Sequence, residues 1–210
     1  MKSMTDRELN SRVYSRNVIE FVTVAGEYCS FMEKAGKMES RVFLDTVRKL
    51  LPLLYLKTSM LPDFTEEMEE SPEKFVSEID YNLLRQQILV LLGRHDDYQE
   101  VFTPGMQYSE SALTASISED LADIYQDLKD FVALYRIGNE EGIEAGLWEC
   151  QNNFREFWGQ KLVNCLRAIH QLIFSDIDWE EEDRSRTPGD ISDDNTSPQW
   201  LNHKFWTQED

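Results

Sequence analysis

Apolar residues return at every third or fourth position through five stretches of the chain, the spacing that lines them along one side of an α-helix. Over 7–35 that side carries Val13, Tyr14, Phe21, Val22, Val24, Tyr28, Phe31 and Met32. Over 39–61 it carries Phe43, Val47, Leu50, Leu54 and Leu61, with Pro52 inside the pattern. The proline removes one ladder bond, so a kink or an open turn is expected there. A third helix is expected from about Ser71–Pro72, a cap followed by proline at the first helical position, to Leu92, with Gly93 at its exit. It is apolar on nearly every side, which suits the centre of a bundle. Ser116 and Glu119 have capping-box spacing and open a fourth helix that Gly138-Asn139 closes; a fifth and longest covers about 141–175. No fixed-period repeat and no strand pair with a hairpin turn stands out. The fold class predicted is all-α: a single bundle of about five helices over 1–175, then an acidic irregular extension over 176–210.

Charge narrows the partners. The 210 residues carry 40 Asp and Glu against 21 Lys and Arg, a formal net charge of −19. Such a surface repels a phosphate backbone and an anionic membrane, so nucleic acid and membrane are both disfavoured. The opening MKSMTDRELN has no apolar core of the kind a secretory signal needs. The longest apolar runs, LLPLLYL and ILVLL, fall far short of the roughly 20 residues of a spanning helix. Cys29, Cys150 and Cys165 are an odd, sparse set that reads as buried, reduced thiols. The extension holds eleven acids and three Lys/Arg, with Pro188, Gly189 and Pro198 against regular structure. It also holds Trp179, Trp200, Phe205 and Trp206, which are costly to leave in water. Two readings stay open: irregular chain throughout, or aromatics that dock on the bundle or in a partner's groove.

Within the fourth helix, SISEDLADIYQDLKDFVALY (116–135) sets Glu119, Asp120, Asp123, Asp127 and Asp130 on one ridge beside the apolar arc. Four like-charge pairs at helical spacing would each cost about 0.2–0.5 kcal/mol if uncompensated. The fifth helix offers compensation, because Lys161 projects from the middle of its apolar arc and Arg155 lies on the edge. A short connection makes the two helices antiparallel neighbours. Counting back from it predicts Lys161–Asp120, and Arg155 with Asp123 or Asp127. Lys57 and Asn17 are similar anomalies on the apolar faces of the second and first helices. Asn17, Lys57, Asp120, Asp123, Asp127, Arg155 and Lys161 are therefore candidates for a polar network between helices, or for a small anionic-ligand pocket lined by Lys57 and Lys161.

Sequences for familiar chemistry are missing: no GxSxG, CxxC, GxGxxG, P-loop or HExxH occurs, and no Glu stands three residues before His95, His170 or His203. A hard-cation site built from carboxylates alone remains, with Asp96, Asp97, Asp120 and Asp123 as candidate ligands. Helical nucleotide pyrophosphatases hold magnesium in that way. Glu66-Glu67-x-x-Glu70 looks like their first motif and Asp120-x-x-Asp123 could imitate the second, although Pro62 and Pro72 flank the first run.

SRNVIEFVTVAGEYC (15–29), LPLLYLKTSMLP (51–62), DDYQEVF (96–102), SISEDLADIYQDLKDFV (116–132) and FWGQKLVNCLRAIHQL (157–172) resemble a bacterial family known as domain of unknown function 5063. The resemblance spans roughly 13–175 and implies a cytoplasmic bacterial protein of helical fold. It implies no activity, so no catalytic residue is carried over. Lys57, Asp96, Asp97, Asp120, Asp123 and Lys161 fall inside the similar blocks. The expected role is that of a non-enzymatic binding or accessory protein using a bundle groove or the aromatic tail, with a protein partner and no cofactor. The alternative is a hydrolase that holds magnesium through carboxylates.

Overall fold

A computed structural model describes residues 12–63, 72–100, 113–137 and 140–186. The helices are α1 (Arg16–Met32), α2 (Ser40–Ser59), α3 (Glu78–Leu92), α4 (Ile117–Ile137), α5 (Glu140–Asn153), α6 (Gly159–Ile173) and α7 (Trp179–Ser185). A π-helical turn, Phe154–Trp158, joins α5 to α6, so the expected fifth helix is one continuous rod with a wide turn in it. The Glu66-Glu67-x-x-Glu70 run, the Gly138-Asn139 exit and the aromatic positions 200–206 lie outside the described residues.

The all-α expectation holds, and the centre of the bundle differs from the one expected. Helix α4 packs on α1, α3, α5 and α6, and twelve of its 21 residues are buried. Helix α3 buries only Leu84, Ile88, Leu91 and Leu92, and leaves Ile79 and Leu83 exposed. The all-round apolarity of α3 is a misleading cue, whereas the acids of α4 hide how deeply that helix sits. Phe21 of α1 stacks on Phe131 of α4 at 5.5 Å, and Tyr28 donates to the Leu121 carbonyl at 2.9 Å. Asn153 meets Asp127 while Lys161 meets Asp123 and Asp120, so α4 runs antiparallel to the α5–α6 rod.

One helix start and one expected break correct the sequence reading. Helix α3 begins after Ser77, whose hydroxyl accepts from Asp80 N while the Asp80 carboxylate accepts from Ser77 N, a full capping box. The stretch from Pro72 to Ser77 is irregular chain rather than helix. Helix α2 runs through Pro52 without a break. Its proline faces solvent, where water can serve the carbonyl that loses its ladder donor. Gly93 ends α3 at φ +52°, the left-handed region that glycine enters without penalty.

A small antiparallel pair, β1 (Asp97–Gln99) with β2 (Thr114–Ser116), adds to the helices that periodicity predicts. It pairs Tyr98 with Ala115 and leads directly into α4. Ile117 N donates to the Asp96 carbonyl at 2.9 Å, so the strand before α4 is tied to the segment after α3. Within its described residues the extension is not irregular throughout, because it carries α7. Asp178 caps α7 by accepting from Glu180 N and Glu181 N at 3.1 Å, and Trp179 is buried with His95 against its ring at 5.2 Å. No helix among the described residues is long and apolar enough to cross a membrane.

Candidate functional site

The acidic ridge of α4 lies between three walls: β1, the Pro72-to-α3 segment, and the α5–α6 rod. At its N-terminal end Asp120 is buried and accepts from the Tyr98 hydroxyl at 2.5 Å. Lys161 from α6 lies 3.4 Å from Asp120 and 2.6 Å from Asp123. The Tyr81 hydroxyl of α3 supplies the other Asp123 oxygen at 2.8 Å. Further along, Asp127 accepts from Asn153 Nδ2 at 2.9 Å. Asp130 accepts from the backbone N–H groups of Phe75 and Val76 at 2.7 and 2.9 Å, with Lys74 at 3.8 Å.

Lys161 is thus the cation at the heart of the ridge, and neutral donors serve most of the remaining carboxylate oxygens. Arg155 departs from the predicted pairing. It sits in the π turn, half-exposed, and pairs with Asp63 at 2.6 Å instead of Asp123 or Asp127. The wide turn explains this. One extra residue within it buries Trp158, leaves Arg155 and Phe157 outside, and retards Lys161 along α4 by about one position, toward Asp123. The Lys161 ammonium also rests 4.7 Å from the Phe157 ring centroid.

The electrostatics follow from burial. Desolvation pushes the Asp120 carboxyl up to about 6, against the Tyr98 hydrogen bond and the nearby ammonium. Asp127 is likewise raised to about 6 by desolvation, with Asn153 opposing. Burial works against the charged form of Lys161, but its hydrogen bond to Asp123 and the attraction of both aspartates outweigh that, and its pKa is raised. Burial and then the Asp123 bond raise Tyr81; burial and then the Asp120 bond raise Tyr98. The arrangement therefore comprises a firmly protonated lysine, two neutral phenols and carboxylates held by donors.

Asn17 and Lys57 form a separate group. Asn17 Nδ2 donates to the Met60 carbonyl at 2.8 Å, closing the C-terminal end of α2. Lys57 pairs with Glu20 at 2.6 Å, and Glu20 also receives Arg16 at 2.7 Å. The predicted set thus divides in two, and no described contact joins Lys57 to Lys161. The expected cation ligands are not gathered either. Asp96 is buried, and its oxygens accept from Ser116 Oγ at 2.5 Å, Ser118 Oγ at 2.8 Å and Ser118 N at 2.8 Å, capping α4. Asp97 is exposed on β1. Among the described residues no group of three or more His, Cys, Asp or Glu is placed to hold a metal ion.

Tyr81, Tyr98, Glu20 and the backbone N–H groups of Phe75 and Val76 are absent from the set that sequence reasoning supplies. Tyr98 stands in DDYQEVF, directly after Asp96 and Asp97, and that is the one signal that could have exposed it.

The fold and this geometry define a class: helical bundles in which, among the described residues, buried aspartates on a central helix accept hydrogen bonds from neighbouring elements. The protein belongs to the family described as domain of unknown function DUF5063, whose model matches residues 12–175. It is similar to protein BF1032 from Bacteroides fragilis, known from a crystal structure, with 46% identity and a TM-score of 0.70 over 79% of this chain and 98% of that one. No curated protein matches the chain.

Proposed function

We propose that the protein is a non-enzymatic binding or accessory protein of the bacterial cytoplasm, and that a protein partner docks on the solvent face of α2. The observation that carries this is a seam on that helix. Val42, Leu53, Leu56 and Met60 are exposed large apolar residues, and with Thr46 and Lys49 they fall at alternating steps of four and three. That spacing keeps side chains on one line along a helix and is the pattern by which helices seat against one another. The opposite side of α2, with Phe43, Leu44, Val47, Leu51 and Leu54, is already buried in the bundle. Unlike the ridge, the seam has no partner within the described residues that would bury it.

The test is in-cell crosslinking from a photoreactive residue at Thr46, compared with the Leu53→Ser/Leu56→Ser variant. A discrete partner that is crosslinked by the parent and lost from a variant of unchanged helicity is the expected result. Crosslinks that do not change with the seam would overturn the reading. The hydrolase alternative is checked in parallel by magnesium titration with thermal-shift readout. A metalloenzyme gains stability with the ion, whereas a ridge matched by Lys161 and phenols does not.

A further inference from the structure

We infer that α7 is a removable plug in a recognition site for acidic, tryptophan-bearing helices, and that a partner protein's segment of that chemistry takes its place. The site is built from Ser40, Leu91, Arg94 and His95, none of which belongs to the α2 seam, so the inference goes beyond the docking reading above. Ser40 is fully buried and opens α2, whose N-cap residue Glu39 makes no side-chain bond. The Asp183 carboxylate accepts from Ser40 N at 3.1 Å and from Ser40 Oγ at 2.6 Å, and the same hydroxyl lies 2.7 Å from the Leu91 carbonyl. Arg94 donates to Glu182, with His95 Nε2 at 3.4 Å from the same oxygen. Trp179 is buried with its ring 5.2 Å from that of His95. Trp179, Glu182 and Asp183 stand at steps of three and four, on one face of a helix. The site therefore reads a tryptophan followed by Glu and Asp at those steps, while Glu180 and Glu181 stay exposed.

Three observations mark α7 as removable. Of its seven residues Trp179 alone is buried, and a helix that short does not hold its shape free in water, so it folds as it docks. The fit is incomplete, because the Trp179 indole N–H is buried without a hydrogen-bond partner among the described residues. The family match, residues 12–175, takes in the whole site and ends before α7. The domain thus carries the site, and the occupant is an addition to it. The carboxylate that Arg94 and His95 share is that of the plug, Glu182, so departure of α7 uncovers a cation beside a helix N-terminus. The apolar place of Trp179 beside them selects an acidic peptide with an aromatic anchor over a lone anion. While it is seated, the tethered α7 excludes a free segment of equal intrinsic affinity.

The experiment uses the full chain with Trp179→Ala/Asp183→Ala, which empties the site, and a fluorescein-labelled synthetic peptide of residues 176–186. Fluorescence anisotropy is expected to show saturable binding to the emptied chain, and binding at least about tenfold weaker to the parent, whose site is filled. Arg94→Glu in the emptied chain should abolish binding, and a Glu182→Arg peptide should restore it. Leu53→Ser/Leu56→Ser in the emptied chain should leave binding unchanged, which separates this site from the seam. The unaltered chain supplies a second measurement. In hydrogen exchange, the amides of residues 180–185 are expected to exchange at least about tenfold faster than those of α4. Absence of binding to an emptied chain of unchanged helicity would overturn the inference, as would binding indifferent to Arg94 or lost with the seam. Loss of the bundle's helicity on emptying, or exchange of α7 together with α4, would overturn it too, by making α7 part of the cooperative core. A dimeric parent that becomes monomeric when emptied would do the same, since the site would then join two copies.

Discussion

Lys161 stands between two carboxylates, 2.6 Å from Asp123 and 3.4 Å from Asp120, and removing it leaves both poorly compensated in a largely buried place. Lys161→Met is expected to destabilise the fold by about 2–3 kcal/mol, below the full cost for a buried pair because the lysine keeps some contact with water. Chemical denaturation checks this, and adding Asp123→Asn should restore part of the loss; strict additivity of the two would contradict the coupling. Asp120 and Asp127 set a pH dependence. Their folded-state carboxyls are held at about 6, whereas an unfolded aspartate titrates near ~3.9. Between those values the folded chain binds more protons, so stability rises as pH falls through about 6 and the gain is complete below about 4. Glu20 and Asp45, held low by Lys57 with Arg16 and by Lys49 with Arg48, act in the opposite sense only further into acid. The melting temperature is expected to rise from about pH 7 to about pH 5, and Asp120→Asn to raise it at the upper end and flatten the slope. A steady fall over that interval would contradict the assignment. The ridge itself and its lysine are legible in the sequence, because helical spacing fixes which side chains share a face. Tyr81 and Tyr98 are not, since a phenol reads as an ordinary core residue until the chain is folded.

At the level of the elements, four of the aspartates share one role, satisfying backbone N–H groups that helices and turns leave without partners. Asp96 serves the start of α4, Asp183 the start of α2, Asp178 the start of α7, and Asp130 the two amides ahead of α3. In the last of these exchanges the aspartate stands in the interior of a helix, which is why it reads from the sequence as one more charge on the ridge. The π turn is the other decisive element. A Cβ on Gly159 would stand 2.3 Å from the Phe154 carbonyl oxygen, the acceptor of the Gly159 N–H. Gly159→Ala is therefore expected to destabilise by about 2 kcal/mol or more and to disturb the alignment of Lys161 with Asp123. Thermal unfolding gives the first effect and loss of the Lys161–Asp123 coupling in a mutant cycle the second; an alanine as stable as the parent would refute it. Periodicity announces the α5–α6 rod but cannot show this turn, because one additional residue in a long apolar pattern barely alters which positions are oily. The start of α3 is misplaced for a similar reason: Ser71–Pro72 and Ser77 both look like beginnings, and only the Ser77–Asp80 exchange is realised.

For the molecule as a whole, packing is organised around α4, with charge buried at its margins and an apolar line left outside on α2. The three cysteines lie on three different helices, Cys29 on α1, Cys150 on α5 and Cys165 on α6, each buried and unbridged. Burial also pushes all three thiols above their ordinary range, so the reactive thiolate is scarce as well as hidden. Alkylation can then proceed only when the helix bearing the thiol comes loose. The rates with iodoacetamide, followed peptide by peptide in mass spectrometry, are expected to coincide if the bundle opens in one event and to separate if any helix detaches earlier. Fast labelling of all three in native buffer would contradict the packing. Three sulfur atoms thereby become native clocks, reporting which part of the protein lets go first.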